Sequence, residues 1–383
     1  MVTIEKTIQI LENLVAYPTT SESSNLDLLH FIEEYCERYG AKTKRFYNAK
    51  GDKANLLISI GPDLPGGMVL SGHTDVVPVH DQKWLEDPYQ LRNINNRLIG
   101  RGAVDMKGFL ACCLAILPEV DAKQLKKPLH FAFSYDEEVG CLGVHSLVEW
   151  LAKSAIKPAF AIIGEPSLMR AVNAHKGGLI GWIHVHGKPG HSSQPDRYVN
   201  AVMIAAKIIN YIEKLRSNLR KGPYFAELDP PYSTIQVNQV HGGTAGNIVA
   251  EKCSFFFEMR IIPGYNPQTY LADIKAYADS QLENMKQTDP ACDIIYDIIA
   301  QVPALQPNIS SEFEKDILHI LGQDTLDAVP YGTEAGIFQT NGIPAIICGP
   351  GEIAQAHQPE EYIETHQLQL CNAFLLEAIN LLK

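Results

Sequence analysis

Two hydrophobic patterns alternate along the first part of the chain. Apolar residues at helical spacing predict helices, whereas short unbroken apolar runs are typical of buried parallel strands. The predicted helices are Ile4–Ala16, Asn25–Tyr39, Gly108–Leu117 and Val144–Leu151. The predicted strands are Leu56–Ile60, Met68–Leu70, Leu129–Phe133 and Phe160–Ile163. This order predicts an α/β domain, built on a layered, mostly parallel sheet with helices on both faces.

A different pattern begins near residue 179. A strand, a long amphipathic helix, two strands and a second long helix are predicted at Leu179–Val185, Val199–Leu219, Ser233–Val240, Ile248–Ile262 and Gln268–Met285. This order predicts a compact α+β two-layer unit of the ferredoxin-like type. The α/β pattern resumes near residue 294, so we expect a main domain of residues 1–178 and 294–383 with an inserted domain of residues 179–293.

The composition narrows the classes of protein. The 383 residues include 32 Lys plus Arg and 44 Asp plus Glu, a net charge of −12, which argues against a nucleic-acid or anionic-membrane partner. No apolar run approaches the ~18 residues of a membrane span. The segment Met1–Val15 has an amphipathic helical pattern rather than a signal-peptide pattern, and the eight cysteines form no C-x-x-C pair. We therefore expect a cytoplasmic protein.

Several apolar runs are followed by a histidine or a carboxylate. These residues are His73 with Asp75, Asp136 to Glu138, Glu165 and His357, and a glycine-rich loop adds Asp105. Ligands of open α/β sheets bind beyond the carboxyl ends of the strands, so these side chains are expected to converge.

This combination of residue types indicates a metal site. Two imidazoles and several carboxylates, without a thiolate, are typical ligands of hydrolytic zinc. A single histidine at a strand end is more often structural, but the joint pattern favours ligands. Glu137 and Glu138 can diverge in a loop, so one could bind metal while the other faces the substrate. Asp75 could accept the second N–H of His73, or it could cap a turn or helix.

Five short motifs carry a family resemblance: Gly72–Pro78, Gly100–Gly108, Asp136–Gly140, Gly164–Pro166 and Gly190–Ser193. They resemble the motifs of the acetylornithine deacetylase, succinyl-diaminopimelate desuccinylase and glutamate carboxypeptidase family of co-catalytic zinc hydrolases. The resemblance extends from near residue 10 to the last predicted helix, with the motifs in the family's order.

The resemblance implies two Zn²⁺ ions per subunit, which Co²⁺ or Mn²⁺ can replace. Asp105 would bridge the metals; the resemblance implies that the remaining ligands are His73 and Glu165 for one metal, and Glu138 and His357 for the other. Glu137 would be the general base and acid, and Asp75 the partner of His73. A water activated between the metals would attack an amide carbonyl.

The inserted domain has a candidate of its own, His191, in the glycine-rich loop Gly187–Ser193. One interpretation is a turn histidine. In the resembled family, the matching histidine reaches the partner subunit's active site and steadies the tetrahedral oxyanion, which implies a homodimer joined through the inserted lid domain. Ser192 and Ser193 could suggest a serine hydrolase, but no G-x-S-x-G motif supports one.

The remaining candidates concern the substrate, which the resemblance implies is a small N-acyl amino acid. Asn247 and Arg260 resemble the family's clamp for a substrate carboxylate. Thr333 and Glu334 resemble the acetylornithine deacetylase branch, which hydrolyses N2-acetyl-L-ornithine to L-ornithine and acetate in arginine biosynthesis. Glu334 could favour a cationic δ-amine, or it could cap a helix that starts near Ala335. A desuccinylase, an aminoacylase, a metallopeptidase or a non-catalytic dimeric binding protein remain alternatives.

Overall fold

The chain forms two compact units in the computed structural model, which describes residues 2–307 and 311–383. The large unit comprises Met1–Asn173, Pro307–Ala328 and Thr333–Lys383, and the inserted unit comprises Ala174–Gln306 and Val329–Gly332. The predictions made for Met1 and for residues 308–310 lie outside the described residues.

Helices and strands alternate through most of the chain. The helices are α1 (Ile4–Val15), α2 (Leu26–Glu37), α3 (Gly108–Ile116), α4 (His145–Lys153), α5 (Ala201–Leu219), α6 (Pro267–Thr288), α7 (Glu312–Leu321), α8 (Ala335–Thr340) and α9 (Thr365–Asn380). The strands are β1 (Lys42–Tyr47), β2 (Ala54–Ile60), β3 (Met68–His73), β4 (Arg92–Ile94), β5 (Arg97–Ile99), β6 (Leu129–Ser134), β7 (Phe160–Pro166), β8 (Val172–His175), β9 (Gly177–His186), β10 (Gly190–His191), β11 (Thr234–Gly242), β12 (Ile248–Val249), β13 (Lys252–Ile261), β14 (Asp293–Val302), β15 (Asp327–Val329), β16 (Ala345–Gly349) and β17 (Tyr362–Glu364).

An eight-stranded sheet in the order β1-β2-β6-β3-β7-β16-β8-β15 dominates the large unit. Its central strands β6, β3, β7 and β16 are parallel, which confirms the predicted α/β fold with a mainly parallel sheet. The run Leu56–Ile60 differs from the prediction, because β2 is antiparallel to both β1 and β6. A short turn joins β1 to β2, and so short a connection allows only antiparallel pairing.

The burial of these elements explains their apolar sequences. Every residue of β3 and β6 is buried, as expected for strands covered on both faces. Every residue of α3 is buried as well, and this helix packs against α1 and α9. A helix that is apolar all round belongs in the interior. The core therefore holds the strand ends that carry the candidate site.

The inserted unit follows the order β9-α5-β11-β13-α6-β14, with a four-stranded antiparallel sheet ordered β11-β13-β9-β14. This is the ferredoxin-like arrangement. Buried and partly exposed residues alternate along β9 and β13, so one face of the sheet is covered.

The inserted unit is longer than the segment 179–293 expected from the pattern. It begins at Ala174 and continues to Gln306, because β14 pairs along its length with β9. The strand β14 alternates exposed and buried positions. Such an alternating pattern does not show which of the two sheets a strand joins. The sequence pattern had placed it in the main domain.

Among the described residues, no helix combines the length and the apolar character that crossing a membrane requires.

Candidate metal centre

Adjacent strands of the large sheet bring the predicted ligands to one edge. His73 is the last residue of β3, Glu165 lies near the end of β7, and Glu138 follows the end of β6. His357 lies in the loop after β16. Because these four strands are parallel neighbours, their carboxyl ends meet, and the structure brings the side chains together as predicted from the sequence.

Asp105 lies between the two imidazoles. Its Oδ1 atom is 2.9 Å from Nε2 of His73, and its Oδ2 atom is 3.0 Å from Nε2 of His357. The same His357 nitrogen is 3.0 Å from Oε2 of Glu138, and Nε2 of His73 is 3.8 Å from Oε1 of Glu165. The carboxylate of Asp105 therefore contacts both imidazoles of the cluster.

Asp75 contacts this cluster differently from the prediction. Nδ1 of His73 donates to the backbone oxygen of Asp75 at 2.8 Å, whereas the Asp75 carboxylate is 3.6 Å away. This bond leaves Nε2 of His73 facing Asp105. The carboxylate of Asp75 instead accepts the backbone N–H groups of Glu137 and Glu138, at 3.2 and 3.3 Å, and a hydrogen bond from Ser21. Asp75 therefore joins the end of β3 to the loop that carries both glutamates.

A buried ion pair holds the turn of Asp105. Glu361 accepts the backbone N–H groups of Val104 and Asp105, at 3.1 and 3.3 Å, and pairs with Arg101. Both side chains of the pair are only 1% exposed. Sequence reasoning assigned no role to Arg101 or Glu361. Arg101 lies inside the motif Gly100–Gly108 and Glu361 lies in none of the five motifs, and nothing in their spacing joins residues that lie 260 positions apart.

The cluster is crowded with negative charge. Burial raises the pKa of Glu137 to about 8, and burial together with the Asp105 carboxylate raises the pKa of Glu165 well above its usual range. Hydrogen bonds to Asp105 and Glu138 raise the pKa of His357 to about 11. Burial opposes the same shift at His73, but the hydrogen bond to Asp105 raises its pKa well above 6.5. The cluster thus retains protons that a bound cation would displace.

The donor set fits divalent cations. Nitrogen and oxygen atoms that could bind a cation lie within 4.8 Å of one another in His73, Glu137 and Glu165, and also in His73, Asp105 and Glu138. Oε1 of Glu138 is buried and has no hydrogen-bond partner among the described residues, which is costly for a carboxylate oxygen unless a cation satisfies it. Nitrogen and oxygen donors of this kind suit zinc, cobalt or manganese.

Thr333 and Glu334 are buried inside the large unit. Glu334 is 1% exposed, and its carboxylate accepts hydrogen bonds from Ser71 at 3.2 Å and Ser134 at 2.5 Å. Thr333 is also buried, and its hydroxyl, rather than Glu334, accepts the N–H of Ala335 at the start of α8. The predicted helix cap of Glu334 is therefore supplied by Thr333 instead, whereas the substrate contacts of both residues stay predictions.

Two of the three candidates of the inserted unit are neighbours, and Arg260 lies apart from them. His191 lies in β10 opposite Ile248 of β12, and Ser192 donates its N–H to the backbone oxygen of Asn247 at 3.1 Å. His191 and Asn247 are therefore neighbours. Arg260 lies in β13, where its side chain is 43% exposed and its Nε donates to Glu258 at 2.5 Å.

The comparison with known proteins identifies the family. Residues 69–381 match the model of Peptidase family M20/M25/M40. The chain belongs to this family and is a metal-dependent hydrolase with a candidate metal site. It is 33% identical over 380 residues to the acetylornithine deacetylase of Shigella sonnei (strain Ss046), with 97% of each chain covered.

Solved structures share the fold at lower identity. An M20 family metallo-carboxypeptidase from Sulfolobus solfataricus superposes with a TM-score of 0.77 at 19% identity, covering 98% of this chain and 99% of that chain. A tripeptidase from Staphylococcus aureus superposes with a TM-score of 0.75 at 21% identity, covering 100% and 99% of the two chains. At these identities the likeness concerns the fold.

Proposed function

We propose that this chain hydrolyses the amide bond of N2-acetyl-L-ornithine, releasing L-ornithine and acetate for arginine biosynthesis in the cytoplasm. The observation that carries the reaction class is Asp105, which lies between the imidazoles of His73 and His357, with Glu137 in the adjoining loop. The choice of substrate rests on the deacetylase that is 33% identical over 97% of both chains.

The proposed metal ligands divide into two sets that share Asp105. His73 and Glu165 would complete one set, and Glu138 and His357 the other, with zinc, cobalt or manganese as the cation. When bound, two such cations supply Lewis acidity that polarises an amide carbonyl and lowers the pKa of water. The separate oxygens of Asp105, each directed at a different imidazole, support this division.

Glu137 is the proposed general base. Its carboxylate takes a proton from the attacking water and returns it to the leaving nitrogen. Burial raises the pKa of Glu137 to about 8, whereas neighbouring cations would lower it, so the two effects keep the group near working pH. Asp75 supports this role because it holds the backbone N–H of Glu137.

His191 is the proposed oxyanion donor, acting across a homodimer formed through the inserted unit. Nδ1 of His191 accepts the backbone N–H of Ser193 at 3.2 Å. A neutral imidazole that accepts at Nδ1 carries its proton on Nε2, which is then a donor for an anionic oxygen. Asn247 and Arg260 would bind the carboxylate of the N-acyl amino acid, since a guanidinium pairs well with a carboxylate.

A substrate panel tests the assignment. The purified protein with added zinc or cobalt should hydrolyse N2-acetyl-L-ornithine with a higher kcat/KM than N-succinyl-diaminopimelate, N-acetyl-methionine or a dipeptide. An equal or higher value for any competitor would reject acetylornithine as the substrate. The absence of hydrolysis throughout the panel would instead favour a binding protein.

Metal analysis tests the reaction class separately. We expect about two equivalents of divalent cation per chain, loss of activity on chelation, and recovery on adding zinc or cobalt back. Activity that persists in the metal-free protein would contradict the proposed site. The melting temperature should also fall on chelation, because a ligand of the folded state stabilises it.

A further inference from the structure

One side chain orients the carboxylate of Glu137. The Sγ atom of Cys141, four residues further along the chain, lies 3.3 Å from Oε1 of Glu137. Among the described residues, this thiol is the only hydrogen-bond donor to that carboxylate. Within the part of the chain that the structure describes, a single hydrogen bond therefore reaches the carboxylate of the proposed base, and it comes from the same loop.

The loop is folded so that the two side chains meet. The backbone N–H groups of Gly140 and Cys141 both donate to the backbone oxygen of Glu137, at 2.9 and 2.8 Å. The N–H of Leu142 donates to the backbone oxygen of Asp136 at 2.9 Å. Cys141 has a φ of +56°, in the left-handed region that is unfavourable for a non-glycine residue. The turn thus holds a side chain where glycine would be the easier choice.

The thiol is suited to holding a base without weakening it. A thiol is a weak donor, so it can orient a carboxylate while taking away little of its proton affinity. The strong donors of this region, the backbone N–H groups of Glu137 and Glu138, bind Asp75 instead. Cys141 is 2% exposed, and burial together with the Glu137 carboxylate raises the pKa of its thiol well above 9. The sulfur therefore keeps its proton, as a donor must, and is not a nucleophile.

We propose that Cys141 is a positioning residue for the hydrolytic reaction: its thiol hydrogen bond holds the Glu137 carboxylate in the orientation from which it accepts and returns the proton. This inference rests on the proposed role of Glu137 as the base. It predicts an effect on turnover rather than on substrate binding, because the hydrogen bond that the Cys141 side chain makes among the described residues goes to the base.

The test compares Cys141→Ala and Cys141→Ser with Cys113→Ala, which removes another fully buried thiol of the large unit. With the best substrate of the panel, Cys141→Ala should lower kcat about threefold to tenfold, the rate equivalent of one lost hydrogen bond. KM and bound metal should match the wild type. Cys141→Ser should restore kcat to within about twofold, because a hydroxyl is also a donor. Cys113→Ala should keep the wild-type kcat.

Two results would overturn the proposal. One is a wild-type kcat for Cys141→Ala. The other is a loss of kcat that Cys141→Ser does not restore, or that Cys113→Ala shares, since either would indicate packing alone. The variant Glu137→Gln distinguishes failure of the Cys141 proposal from failure of the proposal that Glu137 is the base. If Glu137→Gln lowers kcat to a measurable residual rate, adding Cys141→Ala should leave that residual rate unchanged. If Glu137→Gln keeps full activity, the proposed base itself is wrong.

Discussion

Arg101 and Glu361 form a buried ion pair beneath the turn that carries Asp105. Each side chain is 1% exposed, and Glu361 also holds the backbone N–H of Asp105. Burying two charges costs free energy, so such a pair is a poor source of stability in itself. The ion pair instead positions Asp105, because Glu361 holds the backbone of this residue, whose carboxylate faces both imidazoles.

Removing one partner should therefore be costly. Glu361→Ala leaves the Arg101 charge buried and unpaired, and we expect the free energy of unfolding to fall by about 3–5 kcal/mol. Bound metal should also decrease, because the turn of Asp105 loses its support. The neighbouring Glu360→Ala breaks a more exposed pair with Arg92 and should cost less than about 1 kcal/mol. Equal effects of both variants in denaturant titration would contradict the positioning role.

Glu137→Gln should separate catalysis from metal binding. The amide keeps the size of the side chain but cannot accept the proton of the attacking water. We expect kcat to fall by about 10²- to 10⁴-fold, with bound metal unchanged. Glu149→Gln, on the surface of α4, is the control and should behave as the wild type. Loss of metal in Glu137→Gln would reassign the residue as a ligand.

His191→Ala should lower kcat about 10²- to 10³-fold without loss of metal, as expected for an oxyanion donor. The exposed His319→Ala is the control. Mixing His191→Ala subunits with Glu137→Gln subunits gives a sharper test. If His191 acts across the dimer, each mixed dimer contains one intact site, and random exchange should restore roughly a quarter of wild-type activity. A mixture that stays inactive after subunit exchange would exclude the cross-subunit role.

The stability of the protein should decrease in mild acid because of His175. Burial lowers the pKa of this histidine to about 4, and the nearby Arg260 acts in the same direction. Its unfolded value is about 6.5, so between these values the unfolded chain binds the proton more readily. The free energy of unfolding should therefore fall as the pH drops from about 6.5 to 4, by at most about 1.4 kcal/mol per pH unit from this group.

Urea titrations at a series of pH values check this expectation. His175→Asn should show a shallower decrease between pH 6.5 and 4 than the wild type, whereas the exposed His80→Asn should reproduce the wild-type slope. Identical slopes for all three proteins would mean that His175 titrates normally in the folded state.

The sequence predicted those features that depend on neighbours along the chain. Apolar periodicity located α1, α3, α5 and α6 to within a few residues, because each helix buries a continuous stripe or its whole surface. The convergence of the candidate residues followed from the rule that parallel strands end at one edge, whereas their division into metal ligands came from the family resemblance. The assignment of β14 was wrong because its alternating pattern fits either sheet, and only its pairing with β9 decides between them.

Such sequence patterns do not predict contacts between segments that are far apart along the chain. The two-residue spacing of His73 and Asp75 suggested a contact through the carboxylate, but the local backbone brings the carbonyl of Asp75 to the ring instead. Glu334 was interpreted from its charge, although hydroxyl groups from β3 and β6 enclose that charge. Both outcomes depend on where separate strands place their ends, and this information is absent from the spacing of residues.

The large unit contains segments from both ends of the sequence, so the proposed metal ligands are synthesised at different times. His73 and Asp105 leave the ribosome early, whereas His357, which lies 3.0 Å from Asp105, is made near the end. The inserted unit has its own core and lies between them in the order of translation. A chain released before residue 357 would therefore carry a folded insertion and four of the five proposed ligands, but no complete centre, so hydrolytic activity reports that translation has passed residue 357.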